Sequence, residues 1–346
     1  MRWLHRYNRL LAVLSLALIS AGGLVTSTGS GLAVPDWPNT YGYFMFSFPL
    51  SKMVGGIFYE HGHRLIASVV GMLTIGLAVW ISRVEPRRWI RRLGWVALAA
   101  VITQGMLGGI TVLYFLPSAV SISHAGLAQL FFALIVSLAI FTSEGWKRKY
   151  DRNDSSTSAI DNDVVLRGLA ALVPVCIYLQ ILVGATVRHT GAGLAIPDFP
   201  WVFGQLVPPM WDMPIAIHFT HRVGAVIVTL LVLATAGHIW AHHRARRELT
   251  RPVGLLAGLV LVQFSLGAWT VLSERAVAIN TAHVATGALL FVTSVVLGLR
   301  THRERFPDAD ANPRVMPPQP VIVNEVTGAG ASSATVASQG SPGAGR

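Results

Sequence analysis

Long apolar runs alternate with short polar connections along this chain. Eight runs approach or exceed the roughly 20 residues that carry a helix across a bilayer: about 9–25, 60–82, 93–113, 119–142, 165–187, 215–240, 253–272 and 278–300. A hydrocarbon layer offers no water to a free amide, so each run is expected to be an α-helix. The pattern predicts an all-α integral membrane protein. Beyond about residue 306 the pattern stops. That segment is rich in Pro, Ala, Gly and Ser with few aromatics, and a disordered cytoplasmic tail is expected.

Composition agrees with this. Of 346 residues, 53% are hydrophobic and 12% charged, about half the charged share of an ordinary soluble domain. The net charge of +11 raises the question of nucleic acid, but the basic residues cluster in alternate connections, which is a topology signal. Arg2, Arg6 and Arg9 precede the first run, and Arg83, Arg87, Arg88, Arg91 and Arg92 follow the second. Lys147, Arg148, Lys149 and Arg152 follow the fourth, Arg244, Arg246, Arg247 and Arg251 the sixth, and Arg300, Arg303 and Arg305 the eighth. The other connections hold only Lys52, Arg188 and Arg275. Both termini are therefore expected in the cytoplasm, with the chain in the cell membrane. The first run has the basic head of a secretory leader, but its region recurs inside the chain, so it is expected to be a retained span. The single cysteine, Cys176, allows neither an intrachain disulfide nor a thiolate metal cluster.

The chain repeats itself. Gly31-Leu-Ala-Val-Pro-Asp-Trp-Pro38 returns as Gly193-Leu-Ala-Ile-Pro-Asp-Phe-Pro200, and His63-Arg64 returns as His221-Arg222. Gln104, Leu107-Gly108 and Thr111-Val112-Leu113 return as Gln263, Leu266-Gly267 and Thr270-Val271-Leu272, and His124 returns as His283. The offsets, 162, 158, 159 and 159, imply two tandem four-helix bundles. Each has an even number of spans, so the halves face the same way and relate by an axis along the membrane normal. The expected divisions are 1–143, a cytoplasmic linker 144–164, 165–302, and the tail 303–346.

His63, His124, His221 and His283 fall a few residues inside the outer ends of the even-numbered runs. Ionisable groups within spans normally face the bundle interior. Two imidazoles at one depth suit the two axial positions of a heme iron. Zinc or copper would need further ligands, and no carboxylate or thiol repeats beside them. Hydrogen-bonded packing is the plain alternative; repetition in register favours ligation.

The halves differ one turn earlier. Glu60 precedes His63 on the same helix face, and His218 takes the matching place in the second half. Glu60 is a candidate proton acceptor or water-positioning group, or else a helix N-terminal charge. The asymmetry suggests a reactive site in spans 1–4 and an electron-transfer or structural heme in spans 5–8. Arg64 and Arg222 either meet heme propionates or snorkel to the interface. Asp36 and Asp198 are expected to order the Pro-rich outer loops, which also stand where they would roof the heme sites.

Glu60-His-Gly-His-Arg64, the paired Gly-Leu-Ala-x-Pro-Asp-x-Pro loops and the later single histidines resemble heme A synthase over about residues 8–300. That resemblance implies oxidation of the ring position 8 methyl of heme O to a formyl group, giving heme A for heme-copper oxidases. It implies a heme b iron held by His221 and His283, heme O as substrate between His63 and His124, and Glu60 in the reactive site. It further implies heme O synthase, a farnesyltransferase, as the upstream partner. The membrane electron acceptor is not named by the sequence, and a homo-oligomer stays open. The competing reading is a non-catalytic bis-histidine di-heme cytochrome that relays electrons. Some family members carry a cysteine pair in an outer loop; this chain has none. His61 lies outside the repeat.

Overall fold

The computed structural model describes residues 2–147, 160 and 163–306. Eight long helices fill that range: α1 Arg2–Ser27, α2 Gly56–Val84, α3 Arg88–Leu113, α4 Ser118–Phe141, α5 Val164–His189, α6 Met213–His242, α7 Arg247–Leu272 and α8 Val277–Thr301. All eight are long and apolar enough to cross a membrane, and no β-strand occurs among the described residues. The chain is a multi-pass, all-helical membrane protein. Most of the expected tail and most of the expected linker lie outside the described residues; the tail's first residues, Arg303–Arg305, form a short 3-10 helix. The linker's start, Glu144–Lys147, is a short helix.

The helices overrun the apolar stretches at several ends. α1 begins at Arg2, well before the first apolar run, because Leu4, Asn8 and Leu11 are packed against the bundle. Hydropathy marks the part of a helix that meets lipid; packing extends it further. Capping sets other ends. The Asp163 and Asp212 carboxylates accept the Leu166 and Ile215 amides at the starts of α5 and α6, satisfying donors that a helix start leaves orphaned.

α1, α2, α3 and α4 pack in a closed ring, and so do α5, α6, α7 and α8. Across the two rings, α1 meets α8, α4 meets α5, and α4 meets α8. This arrangement is consistent with tandem halves. Helices α4 and α8 touch both rings, and half or more of their apolar windows is buried (56% and 50%) against 22–28% for the other six. Each ring has its own apolar core. Leu11, Val70, Leu77, Ile81 and Leu138 belong to the first, and Val173, Val232, Ile239, Leu256 and Leu297 to the second. Phe132, Ala288 and Val292 form the seam with Leu16 and Ile19. Met72, Ile75, Ile102, Leu230 and Leu261 stay exposed on the outer helices, an apolar girdle that suits lipid.

The backbone repeats as the sequence does. Tyr41 and Phe203 adopt left-handed φ values of 49° and 54°, followed by Gly42 at 75° and Gly204 at 76°. Phe115-Leu116 and Glu274-Arg275 form matching left-handed pairs after α3 and α7. Trp37-Pro38 and Phe199-Pro200 are both cis.

Candidate heme sites at the histidine end

His63, His124, His221 and His283 project from α2, α4, α6 and α8. Each ring packs against a glycine of the preceding helix. A Cβ built on Gly22 would lie 3.1 Å from His63 Cε1, on Gly108 3.3 Å from His124, on Gly184 3.0 Å from His221 and on Gly267 3.1 Å from His283. A larger residue at any of the four would push the imidazole from its place. Gly22 and Gly184 are 162 residues apart, the offset of the outer loops, so the repeat held this pair as well. Only the pair Gly108 and Gly267 was visible as part of a longer motif.

The Nδ1 atoms of His63, His124 and His283 are buried without a hydrogen-bond partner among the described residues. A buried polar atom left without a partner is costly, so these rings have ligand-binding capacity that the protein itself does not use. His221 Nδ1 is 3.0 Å from Gln180 Nε2, which also donates to the His221 carbonyl at 2.7 Å. Ligation through His221 Nε2 requires the ring proton on Nδ1, facing the Gln180 side-chain amide. The His221 and His283 ring centres stand 6.5 Å apart. An iron between two imidazoles, with Fe–N bonds of roughly 2 Å, needs ring centres about 6 Å apart. That spacing is the one two axial ligands of a single iron would need, and Gln263 Nε2 stands 3.3 Å from His283 Nε2 beside it.

Beside this pair of sites the arginines clasp the outer loops. Arg64 donates to the carbonyls of Val34 (2.8 Å), Asp36 (2.7 Å) and Asn39 (3.1 Å), and to Glu60 Oε1 at 2.6 Å. Those bonds occupy its four terminal N–H groups and leave only Nε–H. Arg222 donates to the carbonyls of Ile196 (2.9 Å) and Trp201 (3.0 Å), and its Nε lies 3.3 Å from His218 Nε2, with two terminal N–H groups left over. Neither arrangement was legible in sequence, because the loop carbonyls carry no side-chain signature.

Glu60 is 4% exposed. Its Oε2 accepts the Val34 amide at 2.8 Å and its Oε1 is held by Arg64. In the second half His218 Nδ1 receives the matching amide, that of Ile196, at 3.3 Å. Glu60 and His218 thus do the same architectural work, and only Glu60 adds a negative charge there. The asymmetry extends further. His61, 1% exposed, shares a hydrogen bond with Thr40 at 3.0 Å and packs on Phe48. The matching positions in the second half are Phe219 and Val202, which pack together with Ile196 and Ile215. A polar pair in one half is an apolar pair in the other.

The two loop aspartates have matching roles. Asp36 accepts the Tyr41 and Gly42 amides at 2.8 and 2.9 Å, and Asp198 accepts those of Phe203 and Gly204 at 2.9 Å each. Partial burial pushes the Asp36 carboxyl up, but the Gly42 and Tyr41 amides and the Arg64 charge bring it below the usual range. The Gly204 amide, with Phe203 and Arg222, lowers Asp198. Both turns are ordered by these carboxylates, as the loop composition implied. Trp37 lies against Gly109 of α3 and Phe199 against Phe264 of α7.

Residues 5–295 match the family model COX15-CtaA, described as cytochrome oxidase assembly protein. The chain belongs to the COX15-CtaA family. Among its curated relatives, the heme A synthase of Symbiobacterium thermophilum is 32% identical over 80% of this chain and 82% of its own length. The heme A synthase of Shouchella clausii is 31% identical over 83% and 95%, and that of Alkalihalophilus pseudofirmus 28% over 82% and 93%. The COX15-CtaA match runs from α1 into α8, so all four histidines and both clasped loops lie inside it.

Proposed function

We propose that this chain is a heme A synthase: a membrane oxidoreductase that converts the ring position 8 methyl of heme O to the formyl group of heme A. The observation that carries this is the set of four histidines, each seated on a glycine at one end of the bundle, in a chain whose relatives named heme A synthase match it over about four fifths of its length. The electron-relay alternative leaves the charged side of the asymmetry, Glu60, without a task.

His221 and His283 hold heme b, which supplies one-electron transfer when bound. His63 and His124 hold the iron of the substrate, heme O. Balanced with water as the oxygen source, taking a methyl to a formyl group releases four electrons and four protons. Glu60 stands one helical turn from His63 as a carboxylate fixed by Arg64 and the Val34 amide, so a proton acceptor or water-orienting group is in place before substrate binds. Arg64 acts through the loop that it ties down. Arg222 keeps two N–H groups for a heme propionate.

The chain sits in the cell membrane with both termini cytoplasmic, and its histidines lie toward the outer face; the distribution of basic residues supports this orientation. Heme O synthase stands upstream, and a membrane electron acceptor takes the electrons. The test is heme extraction from cells that make heme O, with and without this protein. Heme A is expected only where it is expressed. Heme O persisting beside folded, heme b-loaded protein would overturn the proposal.

A further inference from the structure

A second set of histidines lies at the other end of the bundle. Asp163, the residue before α5, spends its Oδ1 on the Leu166 amide at 2.8 Å. Its Oδ2 meets His238 Nε2 at 2.8 Å and His243 Nε2 at 2.7 Å. One imidazole comes from the last turns of α6 and the other from the residue that closes it. The carboxylate oxygen and the two ring nitrogens all lie within 4.8 Å of one another. The His243 side chain is 7% exposed, that of His238 18% and that of Asp163 16%. Capping α5 requires only Oδ1. The two rings converge by the same nitrogen on the remaining oxygen, a hydrogen-bonded set that brings together three atoms able to ligate a metal ion.

We propose that Asp163, His238 and His243 bind a divalent transition-metal ion of the zinc class. Two neutral imidazoles and one carboxylate are the borderline donors that such ions prefer over magnesium or calcium. Tetrahedral coordination with bonds of about 2.0–2.2 Å places neighbouring donor atoms about 3.3 Å apart. The present contacts need to open by about half an ångström, which small ring rotations supply. A water molecule would take the fourth position. The site is independent of the heme pockets, since Asp163 and Gly184 lie near opposite ends of α5, about 30 Å apart at 1.5 Å per residue.

Among the described residues the first half has no equivalent. The residue closing α2, in the place of His243, is Glu85, and it is neutralised by Arg87 at 2.6 Å. The position matching His238 is Trp80. The cluster is therefore a property of the second half alone, where it fastens the start of α5 to the end of α6.

Heme-loaded protein without a polyhistidine tag, stripped by a chelator, would be titrated with zinc in a calorimeter. One saturable site per chain is expected. His238→Ala and His243→Ala should each weaken binding at least tenfold with the heme absorbance unchanged, while His242→Ala should leave the affinity as it is. If the histidine variants fail to fold, Asp163→Asn decides. It keeps an acceptor for the Leu166 amide and removes the anionic ligand, and it too should weaken binding at least tenfold. Absence of a saturable site in the parent protein, or unaltered affinity in Asp163→Asn, would overturn the proposal.

Discussion

Glu60 is bound on both carboxylate oxygens, yet its counterpart His218 shows that the matching loop amide can donate to an imidazole nitrogen instead, at 3.3 Å against 2.8 Å. The charge is therefore in excess of what architecture needs. Glu60→Gln keeps an acceptor for Val34 and removes the charge. Heme A formation should fall by about 10²–10⁴-fold, the range for loss of a general acid or base, while the heme b spectrum persists. Unchanged turnover would make Glu60 a structural residue only. Thr40 and His61 invite a different comparison. Thr40→Val strands a buried imidazole nitrogen and should cost about 1–3 kcal/mol, whereas Thr40→Val with His61→Phe installs the apolar pair of the second half and should be nearly neutral. Thermal unfolding of the single and double variants measures that coupling. Additive losses would mean that the pair does not act as a unit.

At the level of elements, each odd-numbered helix supplies a glycine shelf and each even-numbered helix a histidine. Gly184→Ala and Gly267→Ala should displace His221 and His283 and lower the heme b content of purified protein, at a packing cost of about 1–3 kcal/mol. Gly22→Ala and Gly108→Ala should spare heme b and lower conversion of heme O. Equal heme b loss in all four would contradict separate pockets. The helices themselves were legible because lipid imposes long apolar runs, and the histidines because they recur in register. Gly22 and Gly184 stood outside any motif, and glycine is common along the chain. The clasps made by Arg64 and Arg222 were not legible at all: a basic residue near a span end reads equally as a propionate partner or a snorkelling side chain, and loop carbonyls leave no trace in sequence. Asp163, His238 and His243 were hidden for another reason. They are 75 and 80 residues apart along the chain, and only the packing of α5 beside α6 unites them.

On the scale of the whole molecule, two rings of helices share a seam formed by α1, α4, α5 and α8. Arg188 ties it near the heme end, donating from α5 to the Gly23 carbonyl and Ser27 of α1, while Asn280 and Thr281 of α8 meet the same serine. Gly23 adjoins Gly22, the shelf of His63, so the tie lies beside the first-half site and joins it to the second half. A duplicated scaffold of this kind lets one site keep a cofactor while the other works on a chemically similar substrate. That division of labour is the central claim, and heme content with heme A yield in four purified variants tests it most directly. His221→Ala and His283→Ala should lose heme b. His63→Ala and His124→Ala should retain heme b and form no heme A. Retention of heme b in the first pair, or its loss in the second pair alone, would contradict the account.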